Sequence, residues 1–302
     1  MTLLAIDWGS SSFRAWHLDN NGQVLAQVTT DRGVLTMQGQ DFAEYVQQIC
    51  GSWRPLADKV LMAGMVGSRN GWQEVPYLPC PAAVEDLSKA LVNLNSHLHQ
   101  NLQLVPGLQC TGRDGMKDVM RGEETQIIGA LHLTDTPDAL LCLPGTHSKW
   151  AKAENGAITE FSTFFTGELF AQLTRHSSLA GVCNPHVHHE AAFMLGLEQA
   201  GDVRGLLHLL FRPRAAVVTG QLEAEQAGSF LSGLVIGSEI LGVSQGLDEP
   251  GLLTNGRPLL VVGSEVLNRR YQKALEFYQL PCRTVSGDMA VLTGLHRLAT
   301  SQ

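Results

Sequence analysis

Leu3-Leu4-Ala5-Ile6-Asp7-Trp8-Gly9-Ser10-Ser11-Ser12-Phe13-Arg14 decides the reading of this chain. An apolar run suited to a buried strand delivers an acidic residue into a turn made of one glycine and three hydroxyls, and a second strand leaves through Phe13. Backbone N–H groups in such a turn face inward where no large side chain blocks them, and the serine hydroxyls add donors. The turn therefore suits phosphate oxygens, with Asp7 placed to hold a divalent cation directly or through water. The same pattern also builds ordinary hairpins. A second copy changes that balance: Leu140-Leu141-Cys142-Leu143-Pro144-Gly145-Thr146-His147-Ser148-Lys149-Trp150 repeats apolar strand, glycine turn, hydroxyls, basic residue and outgoing aromatic strand. Each copy is followed by a second turn, Asn20-Asn21-Gly22 or Glu154-Asn155-Gly156, and a third apolar strand, so each half opens with a three-stranded meander.

Composition narrows the function class. At 302 residues and 44% hydrophobic content the chain buries a sizeable core and is expected to form two domains. A formal charge of −8 opposes binding to nucleic acid or an anionic membrane surface, and favours small-molecule chemistry. Cys50, Cys80, Cys110, Cys142, Cys183 and Cys282 form no C-x-x-C pair and read as reduced thiols. No apolar run reaches membrane-spanning length and no basic leader precedes the first strand, so a cytoplasmic location is expected.

Periodicity predicts strands near 2–8, 12–19 and 23–30 and a helix from Asp41 to Trp53 capped by Asp41. It then predicts a strand at Lys59–Ala63, a glycine- and proline-rich loop through Pro81, a helix over Val84–Leu98 and a strand at Leu102–Val105. A helix starts near Gly122, where we place the domain crossover, giving lobes over 1–118 and 119–302. Further helices are expected near 167–174, 188–200, 203–211 and 222–244, the last with Gly233 and Gly237 allowing close backbone approach. Leu259–Val262 is a strand running through Gly263-Ser264 into another helix, an ordinary βα turn or a nucleoside contact. The last helix is capped by Ser286 or Asp288 and carries Met289, Leu292, Leu295 and Leu298 on one face.

Two glycine hairpins in duplicated halves resemble the actin, hexokinase and Hsp70 superfamily, in which the two hairpins are the phosphate motifs. That resemblance implies an α/β, two-lobed actin-like ATPase (ribonuclease H-like) fold with duplicated mixed sheets flanked by helices. Pro144 stands where the superfamily usually carries a second Asp, so the metal role of the second copy is open, with His147 or Lys149 as compensating contacts. Asp7-Trp8-Gly9-Ser10-Ser11-Ser12-Phe13-Arg14, Gly64-Met65-Val66-Gly67-Ser68-Arg69, Met120-Arg121-Gly122-Glu123-Glu124-Thr125-Gln126, Pro144-Gly145-Thr146-His147-Ser148-Lys149-Trp150 and Thr166-Gly167-Glu168-Leu169-Phe170, together with Leu231-Ser232-Gly233, look like the 2-dehydro-3-deoxygalactonokinase family, in order along nearly the whole chain. The resemblance implies transfer of the γ-phosphoryl of ATP, with Mg2+, to the 6-hydroxyl of 2-dehydro-3-deoxy-D-galactonate, giving 2-dehydro-3-deoxy-6-phosphogalactonate in galactonate catabolism. Partners are then the sugar acid and ATP, without nucleic acid or membrane, and a homodimer is left open.

Phosphoryl transfer needs a metal, phosphate donors, a positioned hydroxyl and exclusion of water. Asp7 is the metal carboxylate, and Gly9, Ser10, Ser11 and Ser12 with Gly145, Thr146, His147, Ser148 and Lys149 are the phosphate contacts, joined by Gly263 and Ser264. Glu123 leads slightly over Glu124 as the candidate base, with Asp118 third, although two acids at a helix start also serve as caps. A sugar acid carries a carboxylate that an arginine fork would bind, and Arg69 leads over Arg14 and Arg121, with Trp72 and Tyr77 as an apolar wall. His186-Val187-His188-His189-Glu190 lacks a zinc spacing. A phosphohydrolase activating water, or a sensor without turnover, would use the same turns.

Overall fold

A computed structural model of the chain describes residues 1–37, 39–53, 55, 57–112, 114–184, 186–246 and 256–301. The opening stretch is an antiparallel hairpin, β1 (Leu3–Trp8) and β2 (Phe13–Leu18), with Asp7 opposite Arg14 in the register. The meander closes with β3 (Val24–Thr30). β1 is a central strand, with β4 (Lys59–Gly64) paired in parallel along its other edge, and all six of its residues are buried, which matches its unbroken apolar character. The connection is α1 (Phe42–Cys50), whose Asp41 cap accepts from the Ala43 and Glu44 amides. Tyr45 of α1 packs on Trp8 and Phe13, at ring separations of 5.5 and 5.4 Å.

The predicted helix over Val84–Leu98 is cut short. α2 ends at Lys89 (Val84–Lys89), and β6 (Val92–Asn93) turns back to pair antiparallel with β7 (Leu102–Leu104), giving the order β3-β2-β1-β4-β7-β6. Val92 and Asn93 satisfy their backbone groups on the edge of β7 instead of continuing the helix. Three short strands without clear alternation escaped prediction: β5 (Tyr77–Pro79), β8 (Gly107–Thr111) and β9 (Lys117–Met120) form a small separate sheet.

The second copy has the same plan. β10 (Ala139–Leu143), β11 (Ser148–Glu154) and β12 (Ala157–Phe164) form the meander, and β13 (Leu259–Gly263) lies parallel to β10 as β4 does to β1. The edge strand β14 (Arg283–Ser286) was not foreseen; the sheet order is β12-β11-β10-β13-β14. The second half is helix-rich, with α4 (Thr166–His176), α5 (Glu190–Gln199), α6 (Leu206–Leu209), α7 (Arg212–Val218), α8 (Ala224–Gly246) and α9 (Glu265–Phe277). The helix predicted over 203–211 is only the single turn of α6, and Pro213 opens α7 in its first turn, where its missing N–H costs nothing. α8 is apolar and long enough to cross a membrane over Ala224–Ser244, yet 78% of that window is buried within the protein. Gly233 there faces Phe193 and Gly196 of α5 so closely that no side chain fits, the close approach that its composition implied.

By contacts the chain divides into two compact units, one of Met1–Ala139, Ala151–Phe161 and Val285–Gln302, the other of Leu140–Trp150 and Ser162–Thr284. In the first, α3 (Glu123–Thr134) packs on α10 (Gly287–Thr300), whose N-cap is Ser286. Of the predicted face, Leu292, Leu295 and Leu298 are buried together with Ala290, Val291 and Gly294, whereas Met289 is half exposed. Gly129 meets the Ala290 carbonyl and Gly294 the Thr125 carbonyl at less than any Cβ contact distance, so the two backbones touch. Gly129→Ala should push the helices apart and cost about 1–3 kcal/mol, read as a lowered denaturation midpoint.

Candidate functional site

In the first unit the site is built on the end of β1. Asp7 is 8% exposed, and its Oδ2 accepts from the Arg14 guanidinium, which also binds Asp288 at the start of α10. Burial holds the Asp7 carboxyl above its usual range, with the Arg14 charge pulling the other way. The following turn is braced from behind. Gly9 donates to the Ser12 carbonyl at 2.9 Å, while the Gly9 and Ser10 carbonyls accept from Val34 and Leu35 at 2.9 and 3.2 Å. The Gly9 amide is thus committed to the turn, leaving the amides and hydroxyls of Ser10, Ser11 and Ser12 as its outward donors.

Two glycines bring the acids together. Gly64, ending β4 at φ +92°, would place a Cβ 3.1 Å from Asp7 Oδ1, and Gly122, at φ +105°, would place one 3.3 Å from Gly64 Cα. Both conformations belong to glycine, and a side chain at either position would be strained and crowded, most of all at Gly64, where a Cβ would also stand 2.8 Å from the Trp8 carbonyl. Gly122 opens α3, so Glu123 and Glu124 start one backbone contact away from Gly64. Glu123 Oε2 accepts from the Arg121 amide at 3.0 Å, and Glu124 Oε2 from the Gly122 amide at 2.7 Å. Both acids therefore cap the helix, as their position allows. Glu124 goes further: it is wholly buried, and its Oε1 has no hydrogen-bond partner. Burial, then the charge of Glu123, push its carboxyl up to about 8. Asp118 sits on β9, where its Oδ1 accepts from the Val119 amide at 2.7 Å.

The arginines separate by burial. Arg69 is 85% exposed and pairs loosely with Glu74 at 3.6 Å. Arg121 is 8% exposed: it donates to the Val75 carbonyl at 2.6 Å and lies 4.3 Å over the Tyr77 ring, and its Nε and Nη1 have no acceptor. Gly67 leaves room at Nη1, since a Cβ there would stand 3.0 Å away. A buried guanidinium with two unspent donors suits an incoming carboxylate. Trp72 stacks on Phe42 and packs on the core, which accounts for it without a ligand.

In the second unit Gly145 has open space where a side chain would stand, and Gly167 of α4 packs on its carbonyl. The Thr146 carbonyl accepts from the Glu168 amide at 2.8 Å, and His147 Nε2 meets Glu168 Oε2 at 2.6 Å. Ser148 is turned inward. Glu239, buried on α8, accepts from Trp150 Nε1 at 2.7 Å and the Tyr271 hydroxyl at 2.8 Å, with Ser148 3.0 Å from that hydroxyl. Ser148 and Thr166 also hydrogen-bond Glu239, so the hydroxyls around it converge on one buried carboxylate. Lys149 is buried as well and already engaged, so the outward donors of this hairpin are at Gly145, Thr146 and His147. Ser264 caps α9 through the Leu267 amide at 3.4 Å, and the Gly263 carbonyl accepts from Asn268 at 3.2 Å.

The model of the 2-keto-3-deoxy-galactonokinase family matches residues 7–298. The chain belongs to this family. Among its relatives, the Escherichia coli 2-dehydro-3-deoxygalactonokinase is 37% identical over 98% of this chain and 97% of its own. A crystal structure of a candidate 2-dehydro-3-deoxygalactonokinase from Sinorhizobium meliloti superposes with a TM-score of 0.87 at 33% identity, covering 98% of both chains. An activator of 2-hydroxyisocaproyl-CoA dehydratase from Clostridium difficile, with bound ADPNP, shares only 13% identity but 99% coverage of this chain and 93% of its own, at a TM-score of 0.54. The galactonokinase family thus has the actin-like α/β fold with duplicated mixed sheets.

Asp288 beside Arg14, Glu239 beside Trp150 and Arg270 beside Gly145 carry no motif signal in the sequence. In the sequence Asp288 offers only a cap signal, and Glu239 is one acid within an apolar helix. Among the described residues no group of three His, Cys, Asp or Glu side chains could hold a metal, and Glu190 pairs with Lys273 and His188. The raised Glu124 carboxyl gives a linkage with a definite sign. A folded value near 8 against 4.5 favours folding most at acid pH, and that contribution is lost as pH rises through 8. Glu124→Gln removes the group, so its stability relative to the parent should climb between about pH 5 and 8 and level off above. Denaturation midpoints of both proteins across that range measure it.

Proposed function

We propose that this chain is an ATP-dependent kinase that phosphorylates the 6-hydroxyl of 2-dehydro-3-deoxy-D-galactonate, working with Mg2+ in the cytoplasm. Membership of the family supports the substrate. The observation that carries the chemistry is the buried, half-unpaired Glu124 one backbone contact from the glycine that touches Asp7. A carboxylate lifted toward neutral pH is matched to taking a proton from a sugar hydroxyl. The reading assigns this base role to Glu124, with Glu123 holding the Arg121 amide and Asp118 outside the proton transfer.

Arg121 receives the substrate carboxylate through Nε and Nη1, with Tyr77 beneath its guanidinium. The amides and hydroxyls of Ser10, Ser11 and Ser12 and the backbone of Gly145 and Thr146 hold phosphate oxygens. Mg2+ fits at Asp7, whose buried carboxylate is a hard oxygen donor with more burial than Arg14 offsets. One carboxylate suffices, because Mg2+ keeps waters and takes substrate phosphates as its other ligands. Bound there, it would neutralise charge on the phosphate chain. Asp288 keeps Arg14 within reach of Asp7, and Arg14 is then a partner of the metal carboxylate more than a substrate contact.

Release of ADP with and without the sugar acid tests the reaction: a kinase requires the acid, whereas a phosphohydrolase releases ADP from ATP alone. Glu124→Gln should lower kcat by about 10²–10⁴-fold and flatten the rise of kcat/KM toward pH 8. Arg121→Gln should raise the KM for the sugar acid by about 10–100-fold, at least tenfold more than Arg69→Ala, with the KM for ATP little changed.

A further inference from the structure

We propose that Arg270, on α9, binds a phosphate group of the nucleotide and supplies the positive charge of the second glycine hairpin. The inference rests on the kinase reading above, in which that hairpin holds phosphates, and it adds a residue that neither the motifs nor the family match single out. Gly145, Thr166, Gly167, Ser232, Leu267 and Arg270 line a small cavity of about 60 Å³. Gly145 leaves its side of this space open, with nothing within 4 Å of where a Cβ would stand. Arg270 borders the same space.

Its charge has no counterpart. Every other cation on α9 is matched, Arg269 with Glu265 at 3.2 Å and Lys273 with Glu190. Among the described residues no hydrogen bond or ion pair reaches the Arg270 guanidinium, and burial alone acts on it, pulling its affinity for the proton down. A half-buried cation without an anion is costly unless a ligand completes it. The hairpin offers no alternative, since Lys149 is buried along β11 and engaged there.

The adjacent residue fixes the position. Tyr271 donates to Glu239 and hydrogen-bonds Ser148, and Glu239 also holds Trp150, so α9 is tied by buried hydrogen bonds to the strand that leaves the hairpin. A guanidinium one residue from that anchor keeps a set relation to Gly145. Its planar fork suits a phosphate oxygen pair.

Direct binding of ATP, ADP and adenosine to the purified protein, measured calorimetrically for the parent, Arg270→Gln, Arg270→Lys and Gly145→Val, tests the proposal. Arg270→Gln should weaken ATP and ADP by about 10–100-fold, leave adenosine and the KM of the sugar acid unchanged, and reduce the salt dependence of ATP binding. Arg270→Lys, which keeps the charge, should recover part of the loss. If Gly145→Val weakens ATP and Arg270→Gln does not, the hairpin reading stands and this proposal falls. Equal losses for adenosine and ATP in Arg270→Gln would place the residue at the base and overturn the phosphate role. Unchanged ATP binding in both variants would overturn the hairpin reading together with the inference. Thermal midpoints of each variant separate any loss of folding from loss of binding.

Discussion

The close approach of Gly64 to the Asp7 carboxylate and of Gly122 to Gly64, with no room for a Cβ to sit comfortably, is the constraint on which the first half of this protein depends. A strand end and a helix start come within backbone distance only because neither carries a side chain and both adopt positive φ, conformations open to glycine at little cost. Once they touch, the metal-type carboxylate at the end of β1 and the acids of α3 share one neighbourhood. Gly129 and Gly294 repeat the device between α3 and α10, which sets the far end of the same helix. The acids are positioned by what the chain omits.

Burial then gives those acids their character. Asp7, Glu124 and Glu239 are all buried, and burial raises all three, but each is compensated differently. Asp7 has Arg14 and, through it, Asp288. Glu239 has hydrogen bonds from Trp150 and Tyr271, which make it a fixed structural acceptor. Glu124 has only backbone amides for hydrogen bonds, the repulsion of Glu123, and a fully buried Oε1 without a partner. Two buried cations show the same asymmetry: Lys149 is engaged, whereas Arg121 keeps two donors free. Groups with unspent bonding capacity in a buried place are where ligand chemistry is concentrated.

Much of this was legible in residue order. The two hairpins, their third strands, the Asp41 and Ser286 caps and the close-packed glycines of α8 follow from local pattern, and the structure has them. Failures came where a short segment was decided by a distant partner. Val92–Asn93 left a predicted helix to pair with Leu104 and Gln103, and the strands Tyr77–Pro79, Gly107–Thr111 and Lys117–Met120 are too short to carry a period. Arg69 led the arginines because its loop looked like a site, but a residue's neighbours in sequence say little about its exposure. Arg121, two residues before an acid pair, gave no local sign that Val75 and Tyr77 would enclose it.

The sequence by itself determined the duplicated strand-turn-strand plan, the family and the kinds of side chain placed at each turn, because alternation, glycine conformational freedom and capping act over a few residues. Tertiary structure alone decided which of those side chains keep bonding capacity for a ligand. That outcome depends on burial and on partners far along the chain: Asp288 reaches Arg14, Glu239 reaches Trp150, and Ser148 turns inward to Tyr271. Desolvation and hydrogen-bond competition are properties of the packed chain, so residues of one type, such as Ser10 and Ser148 or Arg69 and Arg121, end with opposite roles.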